Sequence, residues 1–462
     1  MPKGHYNASR LLRFVKLART RRMDIAGVWN SEGLQASAGW DTGITAALGV
    51  DRYGVYATPA FPWLEGTTGS GSGTGYNYAS SSVSYEYNAN TALFTYANPL
   101  IGTAAANQLQ HLNWSLAPTA AQTKPLHVPL GDTKTDATGF GIYNLSPGDR
   151  NNPIPIADAL TFTFWGVNYT SGGSIKPIVR CVGTPDFAEV YNFGVITHTG
   201  TDGSIRKTST NIAANGARAS WNGLAFRSHE GFNPATLIGP MFLTWMRACR
   251  TNKLTGIAVT PFYSVGGQSA YDMYEALSTL PIETFEHFFD VLCEYQTGGL
   301  SQHMAIIDLY EGSNQGVETL ISAGAPNQVT ADAVENYVWY MRAIVAIFRS
   351  AWTTSGRSAA NLCFRVSCSH PLNNTLPEAK MVTYRAALKA GMDFANTDAD
   401  VCVLDRAEIV SLAEHLSKGD FADTVHLNYA GYVRTERKTW NALLGGSWRQ
   451  GRARSRVVGG SR

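Results

Sequence analysis

The feature that most constrains this chain is the rhythm after Gly256, where short apolar runs alternate with longer stretches of helical periodicity. The runs over 257–262, 303–310 (HMAIIDLY), 362–368 (LCFRVSC) and 401–404 are too short for helices and lack the polar alternation of a strand with one wet face. Strands of that kind are buried on both sides. The expected frame is therefore a mostly parallel sheet, covered on both faces by the helices that the spacing predicts over 271–295, 331–352, 377–395 and 427–444. Near the other end, residues 24–29 (DIAGVW) read as one more buried strand, followed by a turn at Asn30-Ser31-Glu32-Gly33 and a helix from Trp40 to Leu48. In such a sheet the loops that leave the carboxyl ends of the strands are the places for chemistry.

From about Tyr56 to Thr255 the character changes. Gly/Ser/Thr-rich turns such as 66–75 (GTTGSGSGTG) separate β-rich runs at 160–167 (LTFTFWGV), 175–182 (IKPIVRCV) and 241–246 (MFLTWM). That punctuation predicts a β-sandwich or jelly-roll-like module placed inside the α/β unit. With 44% hydrophobic and only 16% charged residues, against about 25% charged in an ordinary soluble protein, the chain is globular and not disordered. Its 462 residues suit two or three domains.

The net charge of +2 hides an asymmetry. Residues 1–23 carry seven Lys/Arg and residues 447–462 carry five Arg, with no acid in either, which leaves the body near −10. Basic ends suit an acidic partner subunit, an anionic membrane or nucleic acid. The expectation is a homo-oligomer or larger assembly made through these termini, with nucleic acid disfavoured by the acidic body. No apolar run approaches the ~20 residues of a membrane span, and bases interrupt the apolar residues of 11–19 as they do not in a secretory signal. A virion-associated or otherwise cytoplasmic location is expected. Six scattered cysteines, Cys181, Cys249, Cys293, Cys363, Cys368 and Cys402, have neither metal-site nor redox-motif spacing and read as reduced core thiols. No metal or cofactor is expected.

Four segments fall where catalytic loops belong. Ser31 sits at the first strand-to-helix turn, Gly267 in the loop after the 257–262 run, Asn314 in the loop after Tyr310, and Asp423-Thr424-Val425-His426 just before the last helix. A serine at such a turn has its hydroxyl near the positive end of a helix. His426 could take its proton, with Asp423 three residues earlier holding the imidazole in the right tautomer. The backbone N–H groups of Ser31 and Gly267 and the Asn314 amide could stabilise an oxyanion. Each motif singly has an ordinary structural use as a cap or turn, Asp423 as N-cap of the last helix among them. Two competitors share the neighbourhood: His370, after the 362–368 run, and a carboxylate pair made of Glu32 and Glu311.

In order and local context these blocks, VWNSEG, YSVGGQSAYDM, LYEGSNQG and DTVHLNYAGY, resemble the SGNH hydrolase superfamily of GDSL-like serine esterases. The resemblance covers residues 24–55 and 256–445, about half of the chain. It implies a three-layer α/β/α sandwich with a flavodoxin-like, mostly parallel sheet, and ester hydrolysis through an acyl-serine, with Ser31, Asp423 and His426 catalytic and Ser31, Gly267 and Asn314 as the oxyanion hole. Two positions depart from the family pattern: Asn30 stands where an aspartate usually precedes the serine, and Gln315 where one usually follows the asparagine.

The resulting organisation is a basic arm (1–23), a split hydrolase domain (24–55 and 256–446), an inserted β-rich domain (56–255) and a basic tail (447–462). The tyrosines of the insert, Tyr76, Tyr78, Tyr85 and Tyr87 among them, suit sugar stacking, so an O-acetylated polysaccharide is the expected substrate. The alternative is a structural or glycan-binding component of a viral or phage particle.

Overall fold

The computed structural model describes residues 3–30, 43–50, 53–59, 128–129, 141–143, 159–167, 173–180, 189–192, 196–198, 206–212, 223–228, 242–265, 269–278, 280, 282–311, 331–391 and 399–445. The 66–75 stretch, Tyr76, Tyr78, Tyr85 and Tyr87, Cys181 and the 447–462 tail lie outside them.

Six strands form the central sheet: β1 (His5–Tyr6), β2 (Arg22–Asn30), and, beyond the insert, β13 (Gly256–Val265), β14 (Ala305–Tyr310), β15 (Leu362–Ser367) and β16 (Val401–Leu404). Their spatial order is β1-β16-β15-β14-β2-β13. All neighbours are parallel except β1, which pairs antiparallel with β16 at the edge. β14, β15 and β16 are buried at every position. Alternate residues of β2 feed two separate cores, Ala26 and Val28 one and Met23, Ile25 and Trp29 the other. Gly27 is required on the second face, because a Cβ there would run into the Trp29 indole.

Helices cover both faces, giving the three layers. One layer holds α2 (Ala270–Ser278), α3 (Ile282–Cys293), α4 (Ala331–Thr354) and α5 (Thr375–Gly391), through buried residues such as Phe288, Tyr337, Phe348 and Met381. The other holds α1 (Ser9–Leu17), helical residues 43–48 and the last helix, Tyr429–Leu444, through Leu11, Phe14, Leu48 and Trp440. Two short helices, α6 (Arg406–Ile409) and α7 (Leu412–Lys418), precede that last helix, α8. The single helix expected over 271–295 is two, α2 and α3, with Pro281 between them; proline lacks the N–H and crowds the preceding turn.

The chain between β2 and β13 forms β3 (Gly54–Pro59), β4 (Val128–Pro129), β5 (Gly141–Tyr143), β6 (Leu160–Val167), β7 (Gly173–Arg180), β8 (Glu189–Asn192), β9 (Ile196–His198), β10 (Arg206–Ile212), β11 (Gly223–Ser228) and β12 (Phe242–Arg250). These make two antiparallel sheets, β10-β6-β12-β3 with β4 on β12, and β5-β11-β7-β8 with β9 on β7. A buried charge pair ties the first of them to the central sheet. The Arg247 guanidinium of β12 meets the Asp24 carboxylate of β2, which also accepts from the Tyr53 hydroxyl and from Gln296 Nε2 at 2.7 Å. Arg247 Nη1 donates to the carbonyls of Val291, at 2.7 Å, and Leu292, near the end of α3.

Residues 3–23 are not a free arm. β1 extends the central sheet, and α1 buries Leu11, Phe14 and Val15. Several basic residues donate to main-chain carbonyls of neighbouring elements: Arg10 to Ala359 at 2.9 Å, Arg21 to Gln302 at 3.1 Å, and Arg22 to Lys253 at 2.8 Å and Tyr295 at 2.9 Å. Charge that reads in sequence as a handle for a partner is used within the fold, because long basic side chains reach orphan carbonyls at element ends. Cys249, Cys293, Cys363, Cys368 and Cys402 are buried and unbridged, as expected for core thiols. Among the described residues, no helix is long and apolar enough to cross a membrane.

Candidate active site

The parallel arrangement brings the strand exits to one edge. Asn30, the last residue of β2, pairs with Val265, the last of β13, while Trp29 pairs with Tyr310, the last of β14. Tyr310 in turn pairs with Ser367, the last residue of β15. Ser31 is one residue beyond β2, Gly267 two beyond β13 and Asn314 four beyond β14. These three residues, with Glu32 and Gln315, lie outside the described residues. The neighbouring order β14-β2-β13 nonetheless means that their three loops depart side by side from the carboxyl edge.

The fourth block is described and its geometry is well defined. Asp423 Oδ1 accepts from the backbone N–H groups of Val425 at 2.6 Å and His426 at 2.7 Å. Asp423 Oδ2 lies 2.7 Å from His426 Nδ1. An ionised carboxylate only accepts, so Nδ1 carries the proton and Nε2 is left as the base. Partial burial of Asp423 pushes its pKa up, but the bonds from the His426 N–H and ring and from the Val425 N–H outweigh it and hold the carboxyl below its ordinary value. The turn is closed by the Ala422 N–H donating to the His426 carbonyl at 2.8 Å and by the antiparallel bridge between Phe421 and Leu427. Both side chains remain open to solvent, Asp423 at 55% and His426 at 28%.

Asp423 does not cap the last helix. That role belongs to Asn428, whose side chain accepts from the Gly431 N–H at 2.9 Å while its own N–H donates to the Asp420 carbonyl at 2.6 Å. A second residue therefore does the capping, and Asp423 is left to the imidazole.

His370 is a support and not a competitor. It follows β15, is fully buried, and its Nε2–H donates to the Val425 carbonyl at 2.9 Å, between the aspartate and the histidine of the block. Burial, with the neighbouring His415, pushes its pKa well below the ordinary value, so it stays neutral. Its ring packs against His415, Phe421 and Tyr432, with centroids 5.8–6.1 Å away. This contact also fixes where the Asp423–His426 turn sits, at the carboxyl end of β15 and one strand away from β14. In sequence, His370 gives only its place after a strand, and nothing marks the carbonyl that it holds. Glu311, just past β14, is fully buried, away from solvent.

A buried ion network joins β14, β15, α6 and α8. Arg365 of β15 holds the carboxylate of Asp308, its partner in β14, at 2.6 and 2.8 Å. Arg365 also reaches Glu436 of α8 at 3.0 Å, and Glu436 pairs with Arg406 of α6. Two acids and two bases balance, which is the condition for burying charge.

No protein-family model and no curated protein sequence matches the chain. Solved structures similar to it include a peptidoglycan O-acetylesterase, at 10% identity and a TM-score of 0.46 over 98% of this chain and 99% of that one. A GDSL-family lipolytic protein from Veillonella parvula is 15% identical, with a TM-score of 0.25 over 40% of this chain and 78% of its own. A carbohydrate esterase family 2 enzyme with its carbohydrate-binding domain, from Corynascus thermopiles, is 14% identical, with a TM-score of 0.28 over 66% and 98%. The chain's own topology, a mostly parallel α/β/α sheet interrupted after its first long strand by antiparallel sheets, is the fold class expected from the sequence.

Proposed function

We propose that this protein is a serine esterase that cleaves an acyl ester, an O-acetyl group on a polysaccharide, through an acyl-serine intermediate. The observation that carries the reading is the Asp423–His426 pair, held in the tautomer of a general base on the edge from which the Ser31, Gly267 and Asn314 loops depart. In this reading His426 Nε2 takes the Ser31 proton as Oγ attacks the ester carbonyl, and the Ser31 and Gly267 N–H groups and the Asn314 amide hold the oxyanion. The imidazolium, steadied by Asp423, then protonates the leaving alcohol, and water attacks the acyl-serine by the same route in reverse. The central sheet and its helices, with β1 and α1 of the N-terminal segment, form the hydrolase unit, and the antiparallel sheets between β2 and β13 the inserted module. The polysaccharide assignment rests on the aromatic content of that insert. The test is hydrolysis of p-nitrophenyl acetate, O-acetylated peptidoglycan and acetylated xylan by wild type beside Ser31→Ala. Loss of at least about a thousandfold in kcat is expected, with the fold retained. Equal rates from the two proteins, or none from a folded wild type on any of the three, would remove the proposal.

A further inference from the structure

We infer that α2 and α4 carry a sugar-stacking platform leading to the catalytic edge, centred on Trp339; this rests on the esterase reading above. Trp339 is 54% exposed in the middle of a helix that otherwise buries its large apolar residues. It packs edge-on to Tyr274, with centroids at 5.0 Å and planes at 72°, and to Tyr340 at 5.3 Å and 80°. Tyr340 in turn meets Tyr274 at 5.5 Å and Tyr271 at 5.4 Å. Four aromatic rings thus form one surface shared by two helices, locked in place by their own contacts.

The position of the surface points to a substrate role. Tyr271 and Tyr274 are the second and fifth residues of α2, which begins three residues after Gly267. At 1.5 Å per residue they stand within about 6 Å, along the helix axis, of its start beside the β13 exit. α2 thus starts at the carboxyl edge of the sheet and carries its aromatic residues there, where the reacting ester would sit.

Size and chemistry select the occupant. A fully exposed aromatic side chain offers about 150–250 Å², so one ring half exposed and three mostly buried present roughly 350 Å² at most. A stable second copy needs about 800 Å² from each partner. A patch of this size instead fits a few pyranose rings, whose C–H faces are apolar and slightly positive and so meet the negative faces of aromatic rings. The platform holds the polymer chain, while the catalytic edge handles the acyl group.

The experiment compares Trp339→Ala, Trp339→Phe and wild type on acetylated xylan and on p-nitrophenyl acetate. Trp339→Ala is expected to raise KM for the polymer about tenfold with kcat unchanged, to leave kcat/KM for the small ester within twofold, and to be largely rescued by phenylalanine. Retardation in gels containing the same xylan is read in parallel on Ser31→Ala with and without Trp339→Ala, so that polymer binding is scored even if no hydrolysis occurs. Retardation that disappears with Trp339 supports the platform, even where absent hydrolysis removes the esterase reading. Parallel changes on polymer and small ester, unchanged polymer KM and retardation, or a wild-type dimer in light scattering that Trp339→Ala dissociates would overturn it.

Discussion

His370 illustrates how much a single side chain contributes without touching substrate. Its Nε2–H fixes the carbonyl of Val425, and Val425 lies between the carboxylate and the imidazole that must stay 2.7 Å apart. Removing the donor frees a partly buried carbonyl and loosens the turn. His370→Ala is expected to lower kcat for p-nitrophenyl acetate by about 10- to 100-fold, with KM little changed, and His370→Gln, which retains an N–H donor, to restore part of it. Loss of the low-field proton of the Asp423–His426 hydrogen bond in the NMR spectrum of His370→Ala would separate this positioning effect from general instability. Legibility in sequence differed sharply among such residues. Asp423 and His426 were readable because their chemistry and three-residue spacing travel together in DTVH. Asp423 reads in sequence as a cap of the last helix, and the hydrogen bond from the Gly431 N–H gives that role to Asn428 instead. The role of His370 depends on a contact across 55 residues, which no local pattern encodes.

At the scale of elements, hydrophobic pattern was a good guide and charge was a poor one. The wholly apolar run VCVL became β16, and AIIDLY, apolar but for Asp308, became β14, because strands buried on both faces favour such composition. The two buried arginines broke that rule. Arg365 in LCFRVSC and Arg247 in FLTWMRACR are tolerated in buried strands only because Asp308 and Asp24 lie opposite, 57 and 223 residues away in sequence. Arg365→Met should therefore destabilise the protein by about 3–5 kcal/mol in urea unfolding, since it leaves Asp308 without its cation and Glu436 with only Arg406. A change below about 1 kcal/mol would mean that the network is not buried as described. The same logic explains the N-terminal segment, whose basic residues look free in sequence and are spent on carbonyls of other elements.

At the scale of the whole molecule, two consequences follow from how the layers close. Burial, opposed by the hydrogen bond to the Lys3 carbonyl, lowers the pKa of His5 to about 4, and burial holds that of His370 well below 6.5. Both groups are neutral in the native state over a range in which the unfolded chain is protonated, so the unfolded state binds more protons there. Stability is thus full above pH 6.5 and falls as pH drops from 6.5 toward 4. The melting temperature should decline across that window, and His5→Gln should flatten the decline; an unchanged slope would exclude His5 as a contributor. The second consequence is spatial. An insert of some two hundred residues between β2 and β13 leaves these two strands adjacent and parallel, so residues far apart in sequence share one edge.

That shared edge is the core of the account, and labelling tests it without knowledge of the substrate. The protein should react with diisopropyl fluorophosphate at one site, located at Ser31 by peptide mass mapping, and His426→Gln should slow the reaction at least about a hundredfold while leaving the melting temperature nearly unchanged. A folded protein that takes up no label at Ser31, or labels there equally fast without the imidazole, would show that Ser31 and His426 do not act together.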